Sequence, residues 1–131
     1  MLEQPIKLLL VDDEPDILEF LSYNFRKRNF EVITGQNGLV GLGKAIEFNP
    51  DLIITDILMP EMDGIEFCKE LRRLSNFEKT PIIYLTALND DYKVLYAMST
   101  GANQFVSKPI SFEYLLQIVN RVLQECKETM N

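Results

Sequence analysis

Histidine and tryptophan are absent from this 131-residue chain, and cysteine occurs only twice. Without histidine, neither Ser-His-Asp nor Cys-His catalysis is available. Most zinc sites go with it, because two cysteines alone cannot complete one. Cys68 and Cys126 lie far apart without CxxC spacing and read as small apolar side chains on helices. Long apolar runs are missing too: stretches such as Leu8-Leu9-Leu10-Val11 fall far short of a membrane span. The start, Met1-Leu2-Glu3-Gln4-Pro5, has neither the basic residues nor the apolar stretch of a signal peptide. A soluble, cytoplasmic protein with no membrane partner is expected.

Positive charge is also in short supply, with 13 Lys and Arg against 20 Asp and Glu and a net charge of −7. Nucleic-acid-binding domains usually carry a basic patch. The dense basic clusters here, Arg26-Lys27-Arg28 and Arg72-Arg73, fall at expected helix ends, where cations offset the helix dipole. No direct nucleic-acid binding by this chain is expected.

What is present is globular: 47% hydrophobic and 25% charged residues, in a length that suits one domain. That domain is expected to take up residues 1–131, with its core at about 6–127. Five β-like runs alternate with five helical ones. The strands read Ile6–Val11, Glu31–Thr34, Leu52–Thr55, Pro81–Leu85 and Gln104–Ser107. Three are nearly continuous apolar runs, the pattern of strands covered on both faces. The helices read Pro15–Arg28, Gly38–Asn49, Gly64–Leu74, Asp90–Thr100 and Ser111–Lys127. Pro15 suits a first helical turn, and Asn49-Pro50 and Gly101 stop the second and fourth helices. Gly41 and Gly43 each cost the second helix about 1 kcal/mol relative to alanine.

Strict alternation predicts an α/β fold with a parallel sheet and right-handed crossovers. Five βα units of this size commonly form the flavodoxin-like, doubly wound sheet with strand order 2-1-3-4-5. In that order the third and fifth helices cover opposite faces, so Cys68 and Cys126 are expected to remain free thiols.

The polar residues fall at the strand ends. The first strand runs into Asp12-Asp13-Glu14, the third ends at Asp56, the fourth at Thr86 and the fifth at Lys108-Pro109. Each has an ordinary reading alone: helix cap, loop aspartate, turn threonine, surface lysine. Together they line the carboxyl edge of one sheet, where open α/β sheets bind ligands. Three carboxylates so close repel one another. A hard divalent cation resolves the conflict, and Mg²⁺ suits so few protein carboxylates.

These motifs resemble the receiver domains of two-component response regulators. The resemblance runs from about Ile6 to Leu123. It rests on Leu10-Val11-Asp12-Asp13-Glu14, on Pro50 through Gly64, on Leu85-Thr86-Ala87, on Gly101-Ala102 and on Lys108-Pro109. It implies a phosphorylation-activated signalling module rather than a conventional enzyme, catalysing only its own phosphoryl transfer and slow dephosphorylation. Asp56 is then the phosphoacceptor. Asp13, Asp56 and the Leu58 carbonyl hold Mg²⁺ directly, and Asp12 does so through water. Lys108 pairs with phosphoryl oxygens. Thr86 moves to meet the group, helped by the Ala87 N–H, and Phe105 turns inward with it. The resemblance also implies a cis Lys108–Pro109 bond. The implied partners are a sensor histidine kinase or a histidine phosphotransfer protein, and then a second copy, an output domain or an effector protein.

Two departures stand out. Leu58 and Leu88, at the pocket mouth, are apolar, which favours a long-lived phosphate. Asn103-Gln104 stands where the subgroup with winged-helix outputs usually has an acidic pair, which argues against that subgroup's salt-bridged dimer. The surface near the fourth helix and the fourth and fifth strands is the expected output face. Tyr92, Val94 and Tyr96 are candidates for an exposed apolar patch there, since they cannot all face the core with Leu95 and Met98. A rival reading is a Mg²⁺-dependent phosphatase of the haloacid dehalogenase type, which also uses an aspartate nucleophile. It needs a second aspartate two residues on, where Leu58 stands. A flavodoxin would need a Ser/Thr/Gly-rich loop after the first strand, which is missing.

Overall fold

A computed structural model describes residues 4–87 and 91–130. The strands are β1 (Ile6–Val11), β2 (Phe30–Gly35), β3 (Leu52–Asp56), β4 (Ile82–Thr86) and β5 (Gln104–Ser107). The helices are α1 (Pro15–Arg26), α2 (Gly38–Phe48), α3 (Gly64–Arg72), α4 (Asp91–Met98) and α5 (Phe112–Met130). The five strands form one parallel sheet in the order β2-β1-β3-β4-β5. The flavodoxin-like α/β fold is therefore as the alternation predicts.

Strand residues alternate between two cores. Leu8, Leu10, Ile54, Leu85 and Val106 pack with α1 and α5 residues such as Phe25, Leu115 and Val119. Leu9, Val11, Ile53, Ile82 and Tyr84 pack with Ala45 of α2, Phe67 and Cys68 of α3 and Ala97 of α4. Both faces of the sheet are covered, which is why the strand sequences are apolar throughout. Cys68 and Cys126 are both free, and the sheet lies between their helices. No helix among the described residues is long and apolar enough to cross a membrane.

The element boundaries differ from expectation for local reasons. α1 stops at Arg26, and Asn29 turns the chain with a left-handed φ of 67°. That frees Phe30 to open β2, where its ring meets Phe25 edge-on at 5.0 Å between centroids. α3 ends at Arg72, and a short 3₁₀ turn at Ser75–Phe77 follows, burying Phe77. Pro81 stands outside β4, although its carbonyl accepts the Ile53 N–H at 3.0 Å. Ser111 caps α5 rather than joining it, with its Oγ accepting the Tyr114 N–H at 3.3 Å. In α2, Gly41 answers a close approach: a Cβ there would lie 2.9 Å from Val11 Cγ2 and 3.3 Å from Phe67 Cζ.

α4 departs most from the sequence reading. Among its described side chains Ala97 is the buried one, while Leu95, expected on the core side, is 70% exposed. Met98 packs partly against the core, Tyr96 is exposed and Val94 is half-buried. Leu88 and Asp90 lie outside the described residues, as does the side chain of Tyr92.

β2 forms one edge of the sheet. Gly35 turns its carbonyl to the Asp12 N–H on the β1 side, so by alternation the carbonyls of Val32 and Thr34 point away from the sheet. Arg26 donates to the Val32 carbonyl at 3.1 Å and Lys44 to the Thr34 carbonyl at 2.5 Å.

Candidate functional site

The strand ends bring Asp12, Asp13, Asp56, Thr86 and Lys108 to one edge. Register does most of the work: β1 and β3 are neighbours, with Val11 beside Thr55, so the next residues, Asp12 and Asp56, emerge side by side. Asp56 and Thr86 belong to their strands rather than following them. Thr86 holds the other side of the site in place, because its carbonyl accepts the Lys108 N–H at 2.8 Å. The Lys108–Pro109 peptide is cis, as the resemblance implies.

One oxygen from each of Asp12, Asp13 and Asp56 lies within 4.8 Å of the others. Asp12 and Asp56 are buried and Asp13 is exposed. The Lys108 Nζ sits 3.1 Å from Asp56 Oδ2, 3.2 Å from Asp12 Oδ2 and 3.3 Å from Glu14 Oε2. The other oxygens are held by the backbone: Ile57 N–H donates to Asp56 Oδ1 at 2.7 Å and Glu14 N–H to Asp12 Oδ1 at 2.9 Å.

Burial pushes Asp12 up to about 6, and the neighbouring Asp56 charge adds to it, against the opposing pull of the Glu14 N–H and Lys108. Burial also raises Asp56, with Asp13 adding to the effect and Lys108 opposing it. Burial alone would lower Lys108, but Asp12 and Asp56 outweigh it and hold the ammonium above its usual range. The site is thus an anionic pocket with too little positive charge.

The donor set fits a hard divalent cation. Every donor is oxygen, as Mg²⁺ requires. Asp12 Oδ2 is buried and receives no aligned hydrogen bond, meeting Lys108 only as an ion pair. A buried carboxylate oxygen left so is costly unless something else satisfies it. Among the described residues this is the one cluster that could hold a metal.

The remaining expected residues fall around this centre. Thr86 is buried at the end of β4. Ala87 is exposed next to Thr86, and Leu58, two residues after Asp56, is 61% exposed. Phe105 faces outward at 38% exposure, opposite Tyr84 in the β4–β5 register. Tyr84 is fully buried and shares a 2.8 Å hydrogen bond with Thr100, just beyond α4; burial raises its phenol.

Four residues carry more than the sequence suggested. Glu14 meets Lys108. Gly64 lets α3 start directly against β3, its N–H donating to the Ile57 carbonyl at 2.8 Å. Arg72, read as a helix-end cation, donates to the carbonyls of Phe77, Thr80 and Gly101 at 2.6, 2.7 and 2.7 Å. Asn103 joins this knot, its Oδ1 accepting the Ile82 N–H at 2.9 Å.

Comparison with known proteins agrees with this fold. The family model described as the response regulator receiver domain matches residues 8–120. The chain is 39% identical over 105 residues to the alkaline phosphatase synthesis transcriptional regulatory protein PhoP of Bacillus subtilis, covering 80% of this chain and 43% of that one. It is 34% identical over 118 residues to the response regulator ArlR of Staphylococcus aureus, covering 90% and 52%. The chain thus spans about half the length of these curated relatives. Among solved structures, the chemotaxis response regulator CheY4 of Vibrio cholerae superposes with a TM-score of 0.86 at 36% identity, covering 90% of this chain and 98% of that one. The receiver domain of the Francisella response regulator 1452 gives 0.83 at 29%, covering 92% and 98%. The phosphatase alternative finds no support: an exposed Leu58 stands where its acid–base aspartate belongs.

Proposed function

This chain belongs to the response regulator receiver domain family, and from that premise we propose that it accepts a phosphoryl group on Asp56. It is a signalling module of a two-component system rather than a conventional enzyme. The observation that carries the site assignment is the meeting of three carboxylates with one lysine at the carboxyl edge of the sheet.

In the proposed reaction a carboxylate oxygen of Asp56 attacks the phosphorus of a phosphohistidine on a partner kinase or phosphotransfer protein. The phosphorus–nitrogen bond breaks, and the imidazole leaves with the bonding electron pair. These 131 residues contain no histidine, so the phosphohistidine donor lies outside them. Phosphoryl transfer asks mainly for positioning and charge stabilisation. Ile57 N–H and Lys108 fix the two oxygens of Asp56 from opposite sides. Lys108 then neutralises phosphoryl oxygens. The hydroxyl of Thr86 and the N–H of Ala87 answer the added negative charge. Asp12, Asp13, Asp56 and the Leu58 carbonyl would hold Mg²⁺, which supplies charge neutralisation for the transferring group.

On this reading residues 1–131 act as one cytoplasmic receiver unit. The group on Asp56 draws Thr86 inward. Tyr84, Phe105 and α4 carry the change to the surface around α4, β4 and β5, where a second copy, an output domain or an effector reads it. Incubation with Mg²⁺ and acetyl phosphate should add one phosphoryl group to the wild type and none to Asp56→Asn, read by intact-mass spectrometry. Equal labelling of both would overturn the assignment.

A further inference from the structure

Glu14 occupies the N-cap of α1, where a side chain ordinarily accepts a hydrogen bond from the first helical N–H groups. Its side chain makes no such bond. It reaches instead across the site to the ammonium of Lys108, 3.3 Å away, while its own N–H holds Asp12. Lys108 therefore has three carboxylate partners in different surroundings. The side chains of Asp12 and Asp56 are 2% and 8% exposed, whereas that of Glu14 is 57% exposed.

We propose that Glu14 is a positioning residue acting through Lys108: it keeps the ammonium at the pocket mouth and receives it when a divalent cation takes Asp12 and Asp56. The inference rests on the Mg²⁺ reading of the acidic cluster. A divalent cation and an ammonium compete for the same two buried carboxylates, so Lys108 must give way for the cation to enter. A lysine with no other counter-ion gives way reluctantly, because it exchanges two ion pairs for water. Glu14 is already within reach and in contact with solvent. It offers a third carboxylate that keeps Lys108 beside the site, ready for the phosphoryl group.

The test is Mg²⁺ binding measured by calorimetry on the full chain. Glu14→Gln should weaken binding roughly tenfold, the low end for groups acting from outside the ligand set. Glu14→Asp keeps the charge but is one methylene short of Lys108, and should weaken binding to the same degree. In a Lys108→Met background, Glu14→Gln should change nothing, because the interaction it tests has gone. Melting in EDTA should be alike for wild type and Glu14→Gln. Unchanged affinity in Glu14→Gln would overturn the proposal. Wild-type affinity in Glu14→Asp would reduce Glu14 to a field effect, and an equal loss in the Lys108→Met background would make it a direct contact of the cation. Either overturns the positioning role. If Lys108→Met does not fold, the Gln and Asp variants decide between them. A wild type that binds no Mg²⁺ would instead defeat the metal-site reading itself, which sets the two failures apart.

Discussion

Gly64 stands so close to Asp56 that a Cβ on it would overlap the Asp56 carbonyl oxygen. The first residue of α3 is thereby seated on the strand that carries the phosphoacceptor. Helix propensity alone would favour alanine here by about 1 kcal/mol. Overpacking of a filled site costs about 1–3 kcal/mol and acts on backbone that cannot give way cheaply. Gly64→Ala should therefore lose stability in urea denaturation and slow labelling of Asp56 by acetyl phosphate. Wild-type stability would mean that the β3–α3 loop shifts freely.

The second prediction concerns pH in the metal-free state. The folded Asp12 is held at about 6, above its unfolded 3.8, so the folded protein binds protons more tightly between those values. Burial raises Asp56 in the same sense. Stability from these groups is present at low pH and is lost as pH rises from about 4 to about 6. At about 1.4 kcal/mol per unit, Asp12 accounts for at most about 3 kcal/mol. Melting in EDTA should show a fall over this window that is shallower in Asp12→Asn. Parallel curves for the two proteins would contradict it.

Asp13 is the exposed member of the acidic cluster. Removing its charge relieves repulsion in the empty site and takes away a metal ligand. Asp13→Asn should melt higher than wild type in EDTA. Mg²⁺ should raise the wild-type melting temperature, because it binds only the folded state, and raise the variant's much less. A variant that is weaker in EDTA yet equally responsive to Mg²⁺ would make Asp13 structural.

Arg72 ties the end of α3 to three backbone carbonyls, those of Phe77, Thr80 and Gly101. Hydrogen bonds to a charged group are worth about 1.5–3 kcal/mol. Arg72→Ala should cost at least that in urea denaturation. Arg72→Lys should recover little, since an ammonium cannot span the separate acceptors as the guanidinium fork does. Full recovery by lysine would reduce Arg72 to a helix-end cation.

Sequence periodicity was enough for the sheet. Runs such as Leu52-Ile53-Ile54 between turn signals indicate strands covered on both sides, and the alternation with helices leaves few topologies. Asp12, Asp56 and Thr86 were legible because each follows or ends such a run, and Lys108 because it follows the shorter fifth strand. The contents of α4 were not. Tyr92, Val94, Leu95 and Tyr96 offer little contrast between faces, so the pattern does not say that Ala97 is the buried residue and Leu95 an outward one. Arg72 and Glu14 were hidden for a different reason. Their partners are distant in sequence, and a long charged side chain at a helix end looks the same whether it faces water or a carbonyl. One signal was present for Glu14: it directly precedes Pro15 at the helix start, in a place where shorter side chains cap better.

The cations over β2 have a consequence beyond the fold. An uncovered edge strand is a template on which another extended chain can add itself. Here the outward carbonyls of Val32 and Thr34 already accept from Arg26 and Lys44. A strand arriving at this edge would have to displace both cations before it could form a ladder. The molecule is therefore guarded against growing its sheet from that side, and against the fibrous assemblies such growth would start.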